Sequence, residues 1–320
     1  QSFHQLAYGR RMEDPSLSEL VRLPATQVTR GDAQPPPRPR PYPAPAADQR
    51  LLPRTVTATT HQQLIDCPYQ FFAARCLGLA PPEPVTELLS KSDYGERIHR
   101  ILQAFHAPVR GLPGPFSQPL TEQNREQAVA MLQEISTAVF ARDLEDNFLH
   151  RGWLRRWEAL IGEYVDWQIR RAGDWHVQAV EVNAVEEHFT ALFEIKGRLD
   201  RIDAGRHGSA IVDYKTGEVP GKEDIQSGEA VQLPFYALLM DTPVTRVEYL
   251  CLDKNRFGTR AHLEGENLRE LRDQTARRLK AMMKQLHQGT PLPAWGDEQT
   301  CSRCKMEGLC RKQAWQSLPQ

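Results

Sequence analysis

Hydrophobic positions in the first half of the chain recur three and four residues apart. In the segment SDYGERIHRILQAFH, the apolar side chains from Ile98 to Phe105 fall on one face of a helix and the charged ones on the other. Neighbouring segments repeat this spacing. It predicts helices at four places: about 59–78, 92–106, 121–144 and 149–171. Thr59 or Thr60 is the expected cap of the first helix, which Pro68 interrupts.

From about residue 175 onward, hydrophobic positions recur every two residues, which indicates β-strands. The segments WHVQAVEVNAVEEHF and ALFEIKGRLDRIDA alternate apolar and polar residues, RHGS is typical of a turn, and AIVDYKTG begins a third strand. Further elements are predicted after this three-stranded meander: a helix at about 223–240, a strand pair at about 244–263 and an amphipathic helix at about 264–288. Helices, strands, a helix and strands in this order predict an α/β fold.

A proline-rich segment divides the chain. Residues 34–48, QPPPRPRPYPAPAAD, contain seven prolines, which exclude a helix or an interior strand and predict a stiff extended linker over 34–52. Residues 1–33 are too short to bury a core of their own and are expected to be the end of an upstream region. Residues 53–320 then form the main domain. Because the chain begins with Gln1 rather than Met, we expect it to be a piece of a longer protein.

The composition is that of a soluble globular protein. Hydrophobic residues make up 40% and charged residues 25%, and no apolar run is long enough for a membrane span. We therefore expect no membrane association and a cytoplasmic location. The net charge of −1 excludes a uniformly basic surface, so a nucleic acid would have to bind local basic patches. Basic runs occur at 151–157, 170–171, 254–260 and 277–284, although such runs usually mark solvated helix faces.

The stretch IVDYKTG holds the strongest candidate chemistry. Residues i and i+2 of a strand point to the same side, so Asp213 and Lys215 project together at the carboxyl end of a buried strand. Asp200 lies on the preceding strand, where an antiparallel hairpin would bring it next to Asp213. Two adjacent carboxylates repel unless a cation lies between them, and Mg²⁺ or Mn²⁺ would suit oxygen ligands. The alternatives are an ordinary ion pair between Asp213 and Lys215, and pairing of Asp200 with Arg198 or Arg201.

Four short motifs together resemble the RecB-like branch of the PD-(D/E)xK nuclease superfamily. They occur in the family's order: G-x-x-x-H (Gly95 to His99), G-x-x-D (Gly197 to Asp200), D-x-K (Asp213 to Lys215) and Q-x-x-x-Y (Gln232 to Tyr236). The resemblance implies a restriction-endonuclease-like core, in which helices flank a central mixed β-sheet, with a helical insertion.

The resemblance also implies roles for these residues. Asp200 and Asp213 would bind Mg²⁺ or Mn²⁺ with His99 as a further ligand, and Lys215 would position the hydrolytic water. Gln232 and Tyr236 would contact the DNA backbone or brace the site. Simpler interpretations exist for three of these side chains: His99 as a core histidine with one hydrogen bond, and Gln232 and Tyr236 as helix neighbours that pack together.

The cysteines indicate a second cofactor. The tail segment CSRCKMEGLC supplies Cys301, Cys304 and Cys310, one thiolate short of a Cys₄ site. RecB-like nucleases often carry a four-iron, four-sulfur cluster, and that resemblance makes Cys67, in CPYQF, the fourth ligand. Such a cluster would join the N-terminal and C-terminal ends of the domain. Zinc and unligated cysteines remain alternatives. The other two cysteines, at 76 and 251, are expected to be small buried hydrophobic residues.

The order of the linker, the CPYQF segment and the G-x-x-x-H helix is most similar to the C-terminal nuclease domain of AddB-type repair and recombination proteins. The implied function is a metal-dependent deoxyribonuclease of exonuclease type that acts on single strands or duplex ends. Its implied partners are an upstream helicase-like region, of which residues 1–33 would be the remnant, or a helicase–nuclease partner subunit. The alternatives are a DNA-end-binding scaffold that does not cleave and a zinc-stabilised interaction module.

Overall fold

The computed structural model of the protein describes most of the predicted domain. The described residues are 43–81, 90–187, 189–253 and 255–312. All of them lie within one compact unit, Tyr42–Gln320. The predicted upstream remnant and residues 34–42 of the linker lie outside the described residues.

The described end of the proline-rich segment packs against the domain. The Pro43 and Pro45 carbonyls accept hydrogen bonds from the backbone N–H groups of Ala294 (3.0 Å) and Leu292 (2.7 Å). Ala47 in the same segment is buried. This stretch is therefore extended, as its prolines require, but it is fixed along the domain surface. The predicted domain boundary itself stays a prediction.

Helices and strands alternate in blocks along the chain. The helices are α1 (Ala58–Asp66), α2 (Pro68–Phe71), α3 (Lys91–His106), α4 (Arg125–Asp146), α5 (Arg151–Arg171), α6 (Lys222–Gln226), α7 (Gln232–Ala237), α8 (Gly265–His287), α9 (Glu298–Ser302) and α10 (Glu307–Cys310). The strands are β1 (Thr55–Val56), β2 (Trp175–Glu186), β3 (Glu194–Gly205), β4 (Gly208–Lys215), β5 (Val244–Cys251) and β6 (Gly258–Glu264). Short 3₁₀ turns at Gln49–Leu51, Glu122–Asn124 and Phe148–His150 and a π-helical turn at Phe72–Cys76 complete the list.

The strands form one mixed six-stranded sheet. Its order is β1-β3-β4-β5-β6, and β2 pairs with β3. The pairs β2–β3, β3–β4 and β5–β6 are antiparallel, whereas β1–β3 and β4–β5 are parallel. Strand β4, which holds the D-x-K motif, therefore lies in the interior of the sheet rather than at its edge.

Helices cover both faces of the sheet. Helices α3, α4 and α5 pack on one face, and α1, α7 and α8 pack on the other. Strand β4 contributes to both cores because its side chains alternate: Ile211 faces one, and Val212 and Tyr214 face the other. This arrangement confirms the predicted α/β fold with a central mixed sheet between helices.

Two local predictions are wrong in detail. The cap of α1 is Thr57, whose hydroxyl accepts from the Thr60 backbone N–H at 3.1 Å; Thr59 and Thr60 lie inside the helix. The helix expected at 223–240 is two short helices, α6 and α7, because Gly228 takes a left-handed conformation (φ 78°) that ends the first one. No helix among the described residues is long and apolar enough to cross a membrane.

Candidate active site

Strands β3 and β4 separate at the point where the acidic residues lie. Their antiparallel pairing runs from Gly205–Gly208 to Arg201–Val212, and Asp200 is the next residue along β3. Its Oδ2 accepts a hydrogen bond from the Tyr214 backbone N–H at 2.8 Å, in place of a backbone carbonyl. The Asp200 carboxylate thus takes the place of a backbone acceptor in the sheet, next to Asp213, as we predicted from the β3–β4 hairpin.

Asp213 is held by two side chains. Its Oδ1 accepts from Gln232 Nε2 at 2.9 Å, and its Oδ2 lies 2.6 Å from Lys215 Nζ. The predicted ion pair therefore forms, and the i, i+2 geometry of β4 explains it. Gln232 Nε2 also donates to the Tyr236 hydroxyl at 2.8 Å. The Q-x-x-x-Y motif of α7 therefore fixes the position of the Asp213 carboxylate through the hydrogen bond from Gln232.

His99 joins α3 to the same group. Its Nε2 lies 3.2 Å from the Tyr214 carbonyl oxygen, and its Nδ1 lies 3.3 Å from Asp200 Oδ1. The interpretation of His99 as a core histidine with one contact is therefore wrong. The six residues named from the motifs form two groups of side-chain contacts, His99 with Asp200 and Asp213 with Lys215, Gln232 and Tyr236. The Tyr214 backbone, which both His99 and Asp200 contact, joins the groups, and the roles of the six residues stay predictions.

Glu181 of β2 is a member of the site that the sequence did not identify. Its Oε1 lies 3.4 Å from His99 Nδ1, and its side chain is only 3% exposed. It follows the Val180–Arg201 pair in the antiparallel register of β2 and β3, which places it across from Asp200. Its φ of 54° is rare for a residue with a Cβ atom, and such conformations concentrate at functional sites.

The arginines beside Asp200 have other partners. Arg198 forms an ion pair with Glu181, and Arg201 forms one with Asp203 at 2.6 Å. The alternative pairing of Asp200 with either arginine is therefore wrong. Its carboxylate faces His99 and the Tyr214 N–H.

The two motif glycines permit close approach of neighbouring elements. A Cβ atom on Gly95 would lie 3.2 Å from Thr216 Oγ1, so the glycine lets α3 pack against the end of β4. A Cβ atom on Gly197 would lie 2.7 Å from Leu239 Cδ1 and 3.4 Å from Tyr236 Cε1. The glycines of the G-x-x-x-H and G-x-x-D motifs therefore bring His99 and Tyr236 into the site.

The pKa values of Asp213 and His99 are both raised, for different physical reasons. Burial, followed by the negative charge of Asp200, raises the pKa of Asp213 to about 6, against the opposing effect of Lys215. Burial disfavours the charged ring of His99, but the hydrogen bonds and charges of Asp200 and Glu181 outweigh it and raise its pKa to about 10. The carboxylates of Asp200 and Glu181 thus favour positive charge at the position of His99 Nδ1.

The donor atoms fit a divalent cation. One ligand atom from each of His99, Glu181 and Asp200 lies within 4.8 Å of the others. The contact of His99 Nε2 with the Tyr214 carbonyl leaves Nδ1 facing the two carboxylates, and metal-binding histidines commonly donate their second N–H to such an oxygen. A cation bound here would take the place of the second imidazole proton. Asp213 lies outside this compact group, and its predicted part as a metal ligand stays a prediction.

A buried polar network supports strand β4 on the face that packs against α5. The Tyr214 hydroxyl lies 3.3 Å from the Tyr164 hydroxyl of α5. Next to it, the guanidinium of Arg201, which is fully buried, bonds Asp203, and Asp203 also accepts from Arg171 Nε at 2.6 Å. Paired buried charges of this kind are costly to disrupt, so the network fixes the β4 backbone between Asp213 and Lys215.

The four predicted cluster ligands come together away from the acidic site. Cys67 lies between α1 and α2, and Cys301, Cys304 and Cys310 lie in and around α9 and α10. Burial raises the pKa of Cys304, and the nearby thiols of Cys67, Cys310 and Cys301 add smaller contributions in the same direction.

Gly296 allows the C-terminal cysteine segment to pack closely against Cys67. A Cβ atom on Gly296 would lie 3.2 Å from Cys67 Cβ, and the Gly296 carbonyl accepts from Cys301 Sγ at 3.3 Å. The remaining cysteines, Cys76 and Cys251, are buried elsewhere.

Comparison with known proteins identifies a family for most of the domain. The model of the PD-(D/E)XK nuclease superfamily matches residues 55–311. An uncharacterized protein of Rickettsia bellii (strain RML369-C) is 24% identical over 230 residues, which cover 71% of this chain and 25% of that protein. An uncharacterized protein of Rickettsia conorii (strain ATCC VR-613 / Malish 7) is 24% identical over 200 residues, which cover 59% of this chain and 22% of that protein.

The chain thus spans about a quarter of the length of these curated relatives. Among solved structures, the crystal structure of SSO0001 matches 81% of this chain and 86% of that chain at 17% identity, with a TM-score of 0.32. That score is too low to support an argument about fold or function.

Proposed function

The chain belongs to the PD-(D/E)XK nuclease superfamily, and we propose that it is a deoxyribonuclease that requires Mg²⁺ or Mn²⁺ and hydrolyses phosphodiester bonds near strand ends. Members of this superfamily are usually metal-dependent nucleases. The observation that carries the proposal is the contact geometry at the end of β4. There, a buried acid on each of three strands, a histidine and a lysine meet at one point of the sheet.

Each side chain has a part in the proposed reaction. His99, Glu181 and Asp200 would hold the divalent ion, with Asp213 beside them. A bound ion of this kind polarises a phosphoryl oxygen and lowers the pKa of a coordinated water. Lys215 Nζ, held 2.6 Å from Asp213, would orient the attacking water and offset negative charge that develops on the phosphate. Gln232 fixes the Asp213 carboxylate, and Tyr236 fixes Gln232.

A cleavage assay tests this proposal. An end-labelled single strand would be incubated with the wild type in Mn²⁺, in Mg²⁺ and in EDTA. We expect shortening of the strand only with the divalent ions. The variant Asp213→Asn keeps the shape of the side chain but removes its charge, and we expect it to cleave at least about 100-fold more slowly.

The control for charge removal is Asp241→Asn. Asp241 is exposed and lies outside the site, so this variant should cleave like the wild type. Binding of DNA without cleavage by the wild type would instead support the non-cleaving scaffold. Equal rates for wild type and Asp213→Asn would refute the assigned chemistry.

We also propose that Cys67, Cys301, Cys304 and Cys310 hold a four-iron, four-sulfur cluster. Zinc bound by thiolates at about 2.3 Å requires sulfurs roughly 3.8 Å apart. In the part of the chain that the structure describes, no three cysteine sulfurs lie within 4.8 Å of one another. The support for iron over zinc is the order of the four cysteines, which resembles that of the RecB-like nucleases.

Metal analysis distinguishes the iron–sulfur cluster from a zinc ion. Protein purified without oxygen should be brown and contain iron and acid-labile sulfide in equal amounts. Cys310→Ala should lose both, whereas Cys76→Ala should retain them, because Cys76 is buried elsewhere. Stoichiometric zinc without iron would refute the cluster and support the zinc-stabilised module.

The wider role that we propose is DNA repair and recombination in the cytoplasm, together with a helicase-like region or a helicase–nuclease partner subunit. Its support is the AddB-like order of the linker, the nuclease motifs and the cysteines. We expect ATP-driven strand separation by such a partner to increase degradation of blunt duplex ends by this chain. No increase over the chain alone would contradict this role.

A further inference from the structure

Two cavities flank the candidate active site. One, of about 980 Å³, lies between α3 and α4 and reaches His99, Arg198 and Thr216; we call it the histidine-side cavity. The other, of about 770 Å³, lies beside α1 and the loop that follows β4 and reaches Lys215 and Gln232; we call it the lysine-side cavity. A polynucleotide whose reactive phosphate lies at the acidic site must extend toward one or both.

The histidine-side cavity has an excess of positive charge. Five basic and two acidic side chains line it. Arg97 is neutralised by Asp143, to which its Nε and one terminal nitrogen donate at 3.0 and 2.9 Å. Arg198 is paired with Glu181. The remaining cations, Lys91, Arg100 and Arg142, are exposed, and among the described residues they form no ion pair within 4.0 Å. Three cations are thus available to a ligand next to His99.

The lysine-side cavity has the opposite charge. Two basic and five acidic side chains line it. Both of its cations are paired: Lys215 with Asp213, and Arg303 with Glu218 at 2.9 Å. A phosphate backbone is repelled from such a surface, so the two cavities are not equivalent paths for DNA.

The floor of the histidine-side cavity suits nucleobases. Its uncharged lining includes Val109, Leu112, Ala138 and Val139, which are apolar. Bases whose faces are not stacked in a duplex pack favourably on apolar surface, while phosphates stay at a basic rim. Single strands expose their base faces to such a floor, and paired duplex does not.

We propose that the histidine-side cavity holds a single DNA strand on one side of the reactive phosphate, with Lys91, Arg100 and Arg142 bound to phosphates of that strand. The proposal rests on the proposed nuclease function, since it names the substrate of that same site. It assigns no strand contact to the lysine-side cavity. Two of the candidate basic runs of the sequence take no part in it: residues 277–284 lie on α8, which packs on the opposite face of the sheet, and Arg171 is buried.

The test measures binding rather than cleavage. A fluorescein-labelled single strand of twelve thymidines is titrated with the 320-residue protein in the absence of divalent ions, over a series of salt concentrations. Loss of three single-strand phosphate contacts in Lys91→Ala/Arg100→Ala/Arg142→Ala should lower the slope of log K against log salt by about 2. At 0.1 M salt this change corresponds to roughly 100-fold weaker binding.

The matched control removes three exposed cations elsewhere. Arg206→Ala/Arg277→Ala/Lys284→Ala makes the same change of net charge, at the β3–β4 turn and on α8. It should bind within about threefold of the wild type. Thermal melting of both variants verifies that they are folded, which is expected because all six side chains are exposed.

Each outcome decides the proposal. An equal loss in both triple variants, or no loss in the first, would overturn it. An equal loss of affinity for a hairpin duplex would overturn the commitment to a single strand. If the wild type binds and the first variant does not, but no divalent ion supports cleavage, the strand site stands and the nuclease function fails. If the wild type cleaves while both variants bind normally, the nuclease function stands and the strand site fails.

Discussion

Lowering the pH from 7 to 5 should destabilise the protein through His61 of α1. The ring is fully buried against Phe235 of α7, with ring centroids 6.2 Å apart. Neither ring nitrogen has a hydrogen-bond partner among the described residues. Burial, with a smaller contribution from the positive charge of Arg278, lowers the pKa of His61 from 6.5 to about 3.

The sign and size of the effect follow from proton linkage. Between pH 6.5 and pH 3 the unfolded chain binds a proton at this position and the folded chain does not, so the free energy of unfolding falls as the pH falls. His61 contributes little pH dependence above pH 7. With the two pKa values given above, the loss between pH 7 and pH 5 is about 2 kcal/mol.

The assay is urea unfolding at pH 7, 6 and 5, followed by tryptophan fluorescence. His61→Leu keeps an apolar side chain of similar volume and should lie within about 1.5 kcal/mol of the wild type at pH 7. It should lack the loss of about 2 kcal/mol at pH 5. His207→Gln, at the exposed β3–β4 turn, should retain that loss. A difference between wild type and His61→Leu that does not change with pH would refute the assignment.

Other substitutions test separate parts of the account. Lys215→Met removes the ammonium beside Asp213 and should slow single-turnover cleavage by about 100-fold or more without weakening strand binding in EDTA; an unchanged rate would contradict the role of Lys215. Glu181→Gln removes one charge from the compact acidic group and should weaken Mn²⁺ binding, measured by calorimetry, at least about tenfold; unchanged affinity would exclude Glu181 as a ligand. Gly197→Ala places a Cβ atom 2.7 Å from Leu239 Cδ1 and should lower the free energy of unfolding by about 1–3 kcal/mol; a neutral result in urea unfolding would mean that Leu239 moves aside freely.

The strands and the D-x-K pair were predictable because their causes are local. Alternation over two residues fixes which side chains share a face, so Asp213 and Lys215 had to project together. The order of the motifs along the chain then placed His99 and Gln232 on helices beside that strand. Each of these conclusions needs only the local geometry of a strand or the order of short motifs, and both can be read directly from the sequence.

Glu181 was not predictable by the same means. It is one of several polar residues in an alternating strand, and its approach to His99 depends on the β2–β3 register and on a left-handed backbone conformation. By contrast, the pair of Arg201 and Asp203 has the same i, i+2 spacing as Asp213 and Lys215, so alternation was sufficient to predict it. The break between α6 and α7 had a visible sign in Gly228, but an isolated glycine does not by itself end a helix.

The difference in charge between the two cavities was not predictable from the sequence either. The basic runs in the sequence are local clusters, whereas Lys91 and Arg100 lie on α3 and Arg142 lies near the end of the next helix, α4, so they form no run. Only the packing of α3 against α4 brings them to one rim. Conversely, Arg171 belongs to a basic pair in the sequence but is buried against Asp203.

Diffraction from a crystal of the protein soaked in Mn²⁺ tests the central claim most directly. The anomalous difference map should show a manganese ion bonded to His99 and Asp200, at the Glu181 side chain and next to Asp213, with Lys215 unbonded to the ion. A map without a manganese peak at this group, or with the ion bound at other residues while Asp200 and Asp213 stay free, would contradict the account.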